Sequence, residues 1–548
     1  MHGPYPMLHA ALYLVPWALL VLPSLADPIT SWNNVTGNAN VTFPTAVGNT
    51  GDVAPGALPF KVQVDKLNST TFQKVYAPEM RWLPRDAEKD NATSDDIFAN
   101  LGAYTPWRPA DGLFPETEAY KPLPDQCTMK QVHLLVRHGA RYPTDGMDEG
   151  PGTIGALVLN STRNNTFSAK GNMAFLNTWN YSLGQAVLVH QGAQELFDAG
   201  VKHYYDYARL LQNVSSKPVI RTTSSSRVLD SARYWTLGFF GWDADQKMNL
   251  EVISEADKYN NTLEPKYACP NGKAFAFGDK MRQEWQKVYL KDALARIQND
   301  TSGVTWTISD MANMIQLCPY ETVGMGYSNF CSIFTKSEWE GYEYDMDLKF
   351  QGNSGFMNPT SKAMGMGYVQ DFLARVTKHA LQVPSAEQNK TLERNTTYFP
   401  LDQPLYADFS HDTVMVNILT SFNITQLADQ MNSTSPDPTR RFRASHIVPF
   451  GSRFAFEIME CDKGEQYIRV KINEAIVPLN EGQGCEPRVD GLCKLQDFVS
   501  HLQKAMSSIP FALTCYGKNG TDIAVTHTVE HGMLTPEQIL SNNTSSRT

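Results

Sequence analysis

An α/β fold, a central mixed sheet flanked by helices with a mainly helical cap inserted, is predicted by three features of this sequence. The segment QVHLLVRHGARYP alternates Val132, Leu134 and Val136 on one face and is broken by Gly139 and Pro143, so a strand ends near Arg137. A second run, PLYADF, ends at Ser410-His411-Asp412 and leads into TVMVNILTSF, a helical pattern starting near Asp412, a favoured cap or first-turn residue. Between them, from about 185 to 390, the pattern is mainly helical: Leu196, Phe197, Gly200, Tyr204, Ala208 and Leu211 recur at helical spacing, as do Val228, Leu229, Ala232 and Trp235. Later runs, FAFEIMEC and YIRVKIN, alternate again as strands. Strands interleaved with helices call for a sheet covered by helices, and the helical middle reads as an inserted cap.

These patterns divide the chain of 548 residues into a leader at 1–26, an extended N-terminal segment at 27–95, a catalytic α/β domain at 96–225 and 391–530, a cap at 226–390, and a flexible tail at 531–548. The leader carries an apolar stretch at 10–22 followed by Ser24-Leu25-Ala26, a small-x-small cleavage pattern, and at about 13 residues it is short of the roughly 20 needed to span a bilayer. It reads as a secretory signal, although His2 and His9 stand where a signal usually has Lys or Arg. No later segment is long and apolar enough to span, so no membrane partner is expected. Asn-x-Ser/Thr sequons recur from Asn34 to Asn543 and include Asn68, Asn91, Asn160, Asn180, Asn213, Asn299, Asn395, Asn423 and Asn519, which implies N-linked glycans on a secreted, extracellular or cell-wall protein. The eight Cys show no CxxC spacing, and in an oxidising compartment they imply four disulfides whose connectivity spacing alone leaves open. A net charge of −10 without a basic run excludes nucleic acid as a partner, because phosphate backbones are held by clustered Lys and Arg.

The chemistry concentrates in Arg137-His138-Gly139-Ala140-Arg141-Tyr142-Pro143. Five fixed positions of an R-H-G-x-R-x-P pattern arise by chance on the order of once in ten thousand chains of this length, which disfavours a surface loop with scattered charge. Two guanidiniums flank an imidazole at a strand end. Arg presents a planar fork that matches phosphate oxygens, and such cations stabilise charge developing in phosphoryl transfer. A neutral His138 can attack phosphorus through one ring nitrogen. The leaving alkoxide needs a proton, and Asp412, at the end of a second strand, is the natural general acid, with His411 a further phosphate donor. Adjacent Ser410, His411 and Asp412 cannot form a hydrolase triad among themselves, since their side chains diverge. The twelve His are dispersed, with no HExxH pattern, so no metal or other cofactor is expected.

RHGARYP together with YADFSHD resembles the secreted fungal phytases and acid phosphatases of the histidine acid phosphatase superfamily. The likeness covers roughly 96–525 and includes AFLNTWNYSLG, IRTTSSSRVLDSARYW and PFGSRFAFEIMEC. It implies His138 as nucleophile, Asp412 as proton donor, and Arg137, Arg141, Arg221 and His411 as the phosphate clamp. Without the resemblance, Arg221 reads as structural. The family pattern further implies the pairs Cys127–Cys461, Cys269–Cys515, Cys318–Cys331 and Cys485–Cys493. Similar phytases often carry Lys at two places around the AFL segment where this chain has Asn172 and Asn177. Losing two cations weakens binding of a polyanion more than of a simple monoester, so a broad acid phosphatase with phytate within its range is expected over a dedicated 3-phytase. Three other readings fit less well. A cytosolic mutase-type enzyme conflicts with the signal, sequons and even Cys count. An inositol polyphosphate phosphatase with a His-Ala-Glu donor motif conflicts with His411-Asp412. An inactive secreted binding or cell-wall protein conflicts with the filled catalytic positions. The resemblance leaves the oligomeric state open.

Overall fold

Thr128–Arg137 forms β1, exposed at its first residues and fully buried over its last six. Full burial on both faces marks a central strand covered on each side, which is why the hydrophobic alternation fades toward its carboxyl end. The computed structural model describes residues 97–517 except 148, 257–258, 274, 276, 381–385 and 462–463. The leader, the whole N-terminal segment, the tail, and the sequons at Asn34, Asn68, Asn91, Asn519 and Asn543 lie outside the described residues.

The other strands of its sheet are β2 (Val219–Thr223), β3 (Asn249–Ile253), β4 (Leu405–Ser410), β5 (Arg453–Glu460), β6 (Gln466–Ile472), β7 (Ala475–Ile476) and β8 (Cys493–Lys494). They form one mixed sheet in the order β8-β6-β5-β1-β4-β2-β3, with β7 on β6. β1, β4, β2 and β3 run parallel, whereas β5 is antiparallel to β1 and β6 to β5. The mixed sheet flanked by helices is the expected architecture.

The main helices are α1 (Gly152–Arg163), α2 (His190–Tyr207), α3 (Ser226–Phe240), α4 (Phe277–Tyr289), α5 (Lys291–Asp300), α6 (Ile308–Met325), α7 (Lys336–Ser354), α8 (Ser361–Thr377), α9 (Asp412–Ser421) and α10 (Leu495–Ser507). α3 covers one face of the sheet, where Trp235 packs edge-on against Phe409 of β4. On the opposite face Phe372 of α8 packs against His133, Phe422, Phe456 and Phe498. α2 and α3 approach backbone to backbone at Gly200 and Gly238, where a Cβ would lie 2.1 Å from the Trp235 and Phe197 carbonyl oxygens respectively. The starts of α6 and α7 are set by capping boxes, Thr307 with Asp310 and Thr335 with Glu338.

The helical middle differs from its expected extent. α3 and β3 fall within 226–390, yet α3 packs on the sheet and β3 is its edge strand, paired in parallel with β2 from Val219↔Asn249 to Thr223↔Ile253. All described residues belong to one compact unit. The four disulfides are Cys127–Cys461, Cys269–Cys515, Cys318–Cys331 and Cys485–Cys493, the pairs the resemblance implies. Among the described residues no helix is long and apolar enough to cross a membrane.

Candidate active site

Parallel pairing of β1 with β4 sets Arg137 opposite Ser410, so the residues that follow each strand, His138 and His411-Asp412, emerge side by side at the carboxyl edge. The chain leaves β1 in a tight turn pinned by backbone bonds: the His138 N–H donates to Ser410 O, the Gly451 N–H to His138 O, and the Val189 N–H to Ala140 O. The turn rests on the first residues of α2. A Cβ on Gly139 would meet Gly192 O at 2.4 Å, and one on Gly192 would meet Ala140 O at 2.2 Å, so this contact requires glycine on both sides. Side chains hold the turn from behind, with the Gly139 N–H donating to Ser231 Oγ (3.1 Å) and the Ala140 N–H to Glu195 Oε2 (2.8 Å). Burial pushes the Glu195 carboxyl up to about 7.

His138 is buried, and its Nδ1 lies 2.9 Å from Gly139 O. A carbonyl can only accept, so Nδ1 carries the proton and Nε2 presents a lone pair. Burial, then the positive charges of Arg137, Arg141 and Arg227, hold the ring well below the usual imidazole range and therefore neutral. Arg137 is buried over the ring of Phe450; one guanidinium nitrogen donates to Ala103 O and Val448 O, and the other to Asp412 Oδ2 at 2.5 Å. Arg141 donates to Tyr142 O (2.9 Å) and Tyr320 Oη (3.3 Å). The Nε atoms of Arg137, Arg141 and Arg227 have no partner among the described residues, a set of charged donors that an anion can satisfy.

Asp412 opens α9, where the Thr413 N–H donates to its Oδ1. Burial pushes its carboxyl up, but Arg137 with Arg141, His411 and Lys349 outweighs burial and holds it well below the usual carboxylate range. His411 lies beside His138, with ring centroids 5.7 Å apart. Both of its nitrogens are engaged, Nε2 with Glu255 Oε1 at 2.7 Å and Nδ1 with an Arg227 NH2 group at 3.3 Å.

Arg221 is not brought to this cluster. It lies inside β2, two residues short of the strand end, and is flanked in register by Asp408 and Glu251. Its Nε donates to Asp408 Oδ1 (2.7 Å) and a terminal nitrogen to Asp371 Oδ2 (3.1 Å). Inside the strand, this guanidinium is committed to two buried carboxylates. The cation that reaches the site is Arg227, in the first turn of α3, directly beyond the strand's carboxyl end where ligands of parallel sheets bind. Sequence reasoning missed it, although the strand end before Ser224-Ser225-Ser226 is the available signal. It also missed Lys349 of α7, whose charge depresses Asp412 and Tyr104. Asn177 is engaged as a structural amide, accepting from Ala169 N–H and donating to Ala169 O and Ala174 O, while Asn172 is exposed. Among the described residues no three His, Cys, Asp or Glu are grouped as a metal site.

A neutral imidazole with a free nitrogen, ringed by guanidiniums and a carboxyl at the carboxyl edge of an α/β sheet, is an arrangement suited to phosphoryl transfer. Residues 128–473 match the family model of the histidine phosphatase superfamily (branch 2). The chain is 33% identical to phytase A of Aspergillus oryzae over 420 residues, 73% of this chain and 87% of that one, and 33% identical to phytase A of Aspergillus fumigatus over 430 residues, 74% and 88%. Its fold is similar to the crystal structure of the phytase from D. castellii, with a TM-score of 0.63 at 23% identity over 80% of this chain and 93% of that one. The Bifidobacterium longum multiple inositol polyphosphate phosphatase, solved with inositol hexasulfate, shares the fold more distantly, with a TM-score of 0.52 at 13% identity over 73% and 96%. The chain belongs to the histidine phosphatase superfamily, and within it to the histidine acid phosphatases, which are phosphoric monoester hydrolases.

Proposed function

We propose that this protein is a secreted acid phosphatase in which His138 Nε2 attacks phosphorus, Asp412 protonates the leaving oxygen, and Arg137, Arg141 and Arg227 clamp the phosphoryl oxygens. The observation that carries this reading is the His138 Nδ1 contact with Gly139 O, which points the remaining lone pair away from the turn. The phosphoester bond to the alcohol breaks as the nitrogen–phosphorus bond forms. Water then cleaves the phosphohistidine, with Asp412, now ionised, accepting its proton. In the free enzyme Asp412 is tied to Arg137 as a carboxylate, so a bound phosphate must draw that guanidinium away and raise the Asp412 pKa before it can act as an acid. Activity highest at acidic pH follows from that requirement.

Phytate lies within the substrate range. The relatives named phytase A support it, as does Lys349 beside Asp412, while neutral Asn172 and Asn177 lower the pull on a polyanion. The apolar leader and the sequons support secretion and N-glycosylation. The test is steady-state hydrolysis of phytate and p-nitrophenyl phosphate at acidic pH with chelator, wild type against His138→Ala. Activity that survives chelation and vanishes in the variant is expected, with specificity constants for the two esters of similar order. Activity unaffected by His138→Ala would overturn the mechanism, and a large preference for phytate would overturn the broad specificity.

A further inference from the structure

The Gly139–Ala140 peptide in the nucleophile turn is gripped at both ends by side chains. Its carbonyl accepts from His138 Nδ1 (2.9 Å), and its N–H donates to Glu195 Oε2 (2.8 Å). The peptides on either side are held at their carbonyls by backbone, His138 O by the Gly451 N–H and Ala140 O by the Val189 N–H. In a trans peptide the N–H and C=O point in opposite directions, so holding the N–H aims the carbonyl. Glu195 lies on α2 three positions after Gly192, on the same helix face, so the glycine contact that seats α2 against the turn also brings this carboxyl to the Ala140 N–H. The side chain is buried and fixed from other directions too: Oε1 accepts from Gln191 Nε2 (3.3 Å), and the carboxyl accepts from the Trp107 backbone N–H. A carboxyl accepts at one oxygen whether or not the other is protonated, so the grip holds throughout the acid range.

We infer that Glu195 is a positioning residue for the nucleophile: through the Gly139–Ala140 peptide it fixes the carbonyl that keeps the His138 proton on Nδ1 and turns Nε2 to the phosphoryl site. This rests on the proposed phosphatase mechanism and adds a residue that acts on His138 only through this peptide. When Nε2 bonds to phosphorus the ring becomes cationic and its Nδ1–H draws harder on Gly139 O, so the support matters most as the phosphohistidine forms. The clamp is anchored independently, Arg137 on Ala103 O, Val448 O and Asp412, and Arg141 on Tyr142 O and Tyr320 Oη. Losing the Glu195 acceptor therefore frees the peptide to rotate and costs His138 its orientation, while these guanidiniums stay in place.

The experiment measures kcat/KM for p-nitrophenyl phosphate, competitive inhibition by inorganic phosphate, and the thermal transition in Glu195→Leu and Glu195→Gln. Glu195→Leu removes the acceptor. Glu195→Asp, one methylene shorter, withdraws it and takes the place of the Leu variant if that one shows no cooperative thermal transition. Without the acceptor, kcat/KM, which reads formation of the phosphohistidine, should fall roughly 10- to 100-fold. Inorganic phosphate needs the clamp but no bond to nitrogen, so its inhibition constant should move less than about threefold. Glu195→Gln, which keeps an acceptor oxygen, should stay within about threefold of wild type on both readouts. An unchanged kcat/KM without the acceptor overturns the inference. So does an inhibition constant that rises in parallel with the loss of kcat/KM, which a collapsed turn would give, or a Gln variant as weak as the variant without the acceptor. If His138→Ala stays active, the phosphatase mechanism itself has failed. If His138→Ala is inactive and the enzyme without the acceptor behaves as wild type, only the positioning role has.

Discussion

Replacing Glu251 by Gln should stabilise this protein at neutral pH and leave it unchanged in acid. Glu251 lies on β3 beside Arg221, which pairs in turn with Asp408 on β4, so three charged side chains line adjacent strands on the face covered by α8. The two guanidiniums on that face, Arg221 and Arg375, are matched by Asp408 and Asp371. No cation remains for Glu251, whose Oε1 has no hydrogen-bond partner among the described residues. Burial, only partly offset by Arg221 and Arg375, pushes its carboxyl from 4.5 up to about 8. The folded chain therefore keeps a proton that the unfolded chain releases above pH 4.5. Stability contributed by this group is complete below that pH and falls as pH rises toward 8, with a slope of about 1.4 kcal/mol per unit. At pH 7 the cost is about 3 kcal/mol. Gln is a neutral isostere and removes that cost, which at roughly 2 cal/mol/K per residue raises the midpoint by about 3–4 °C in a chain of this size. Burial acts in the same direction on Glu387 and Glu393, which adds to the acid preference of the fold. Differential scanning calorimetry of wild type and Glu251→Gln at pH 4 and pH 7 tests this. An equal loss at both pH values, or no gain at pH 7, would refute a protonated Glu251.

Two arginines of one segment should fail differently. Arg221→Ala leaves Asp408 and Asp371 sharing Arg375 and should cost about 3–5 kcal/mol of stability, read from the urea midpoint. Arg227→Ala should keep the fold and lose phosphate affinity, read as a raised KM with an unchanged urea midpoint. Asp412→Asn should lower kcat/KM, which reads only formation of the phosphohistidine, by about 10²–10⁴-fold for an alkyl phosphate and by much less for p-nitrophenyl phosphate, since nitrophenolate leaves without a proton. The later water step, which also uses Asp412, is common to both esters. Comparable losses on both esters in a stopped assay would contradict the general-acid role.

Much of the site was legible because its chemistry sits where periodicity breaks. Gly139 and Pro143 end β1 at His138, and the polar Ser410-His411-Asp412 triplet ends β4, so both strand ends could be placed from residues alone. Their adjacency was not legible, since it depends on β1 and β4 being neighbours in a sheet whose order is set by long-range packing. Arg221 shows the same limit. An Arg inside a fully buried strand looks like an Arg beyond its end until Asp408 and Asp371 are seen around it. β3 escaped notice because NLEVI is short and carries a Glu, and its removal from the expected cap follows from pairing with β2. Glu255 gives no local signal, because its partner His411 lies 156 positions away.

The most direct test of the histidine mechanism is the stereochemical course at phosphorus, measured by NMR on an ester made chiral with oxygen isotopes and a second alcohol as acceptor. Attack by His138 followed by transfer from phosphohistidine comprises two in-line displacements, so overall retention is the expected result. Overall inversion would mean that the acceptor attacks phosphorus directly, and the central claim that His138 carries the phosphoryl group would be wrong.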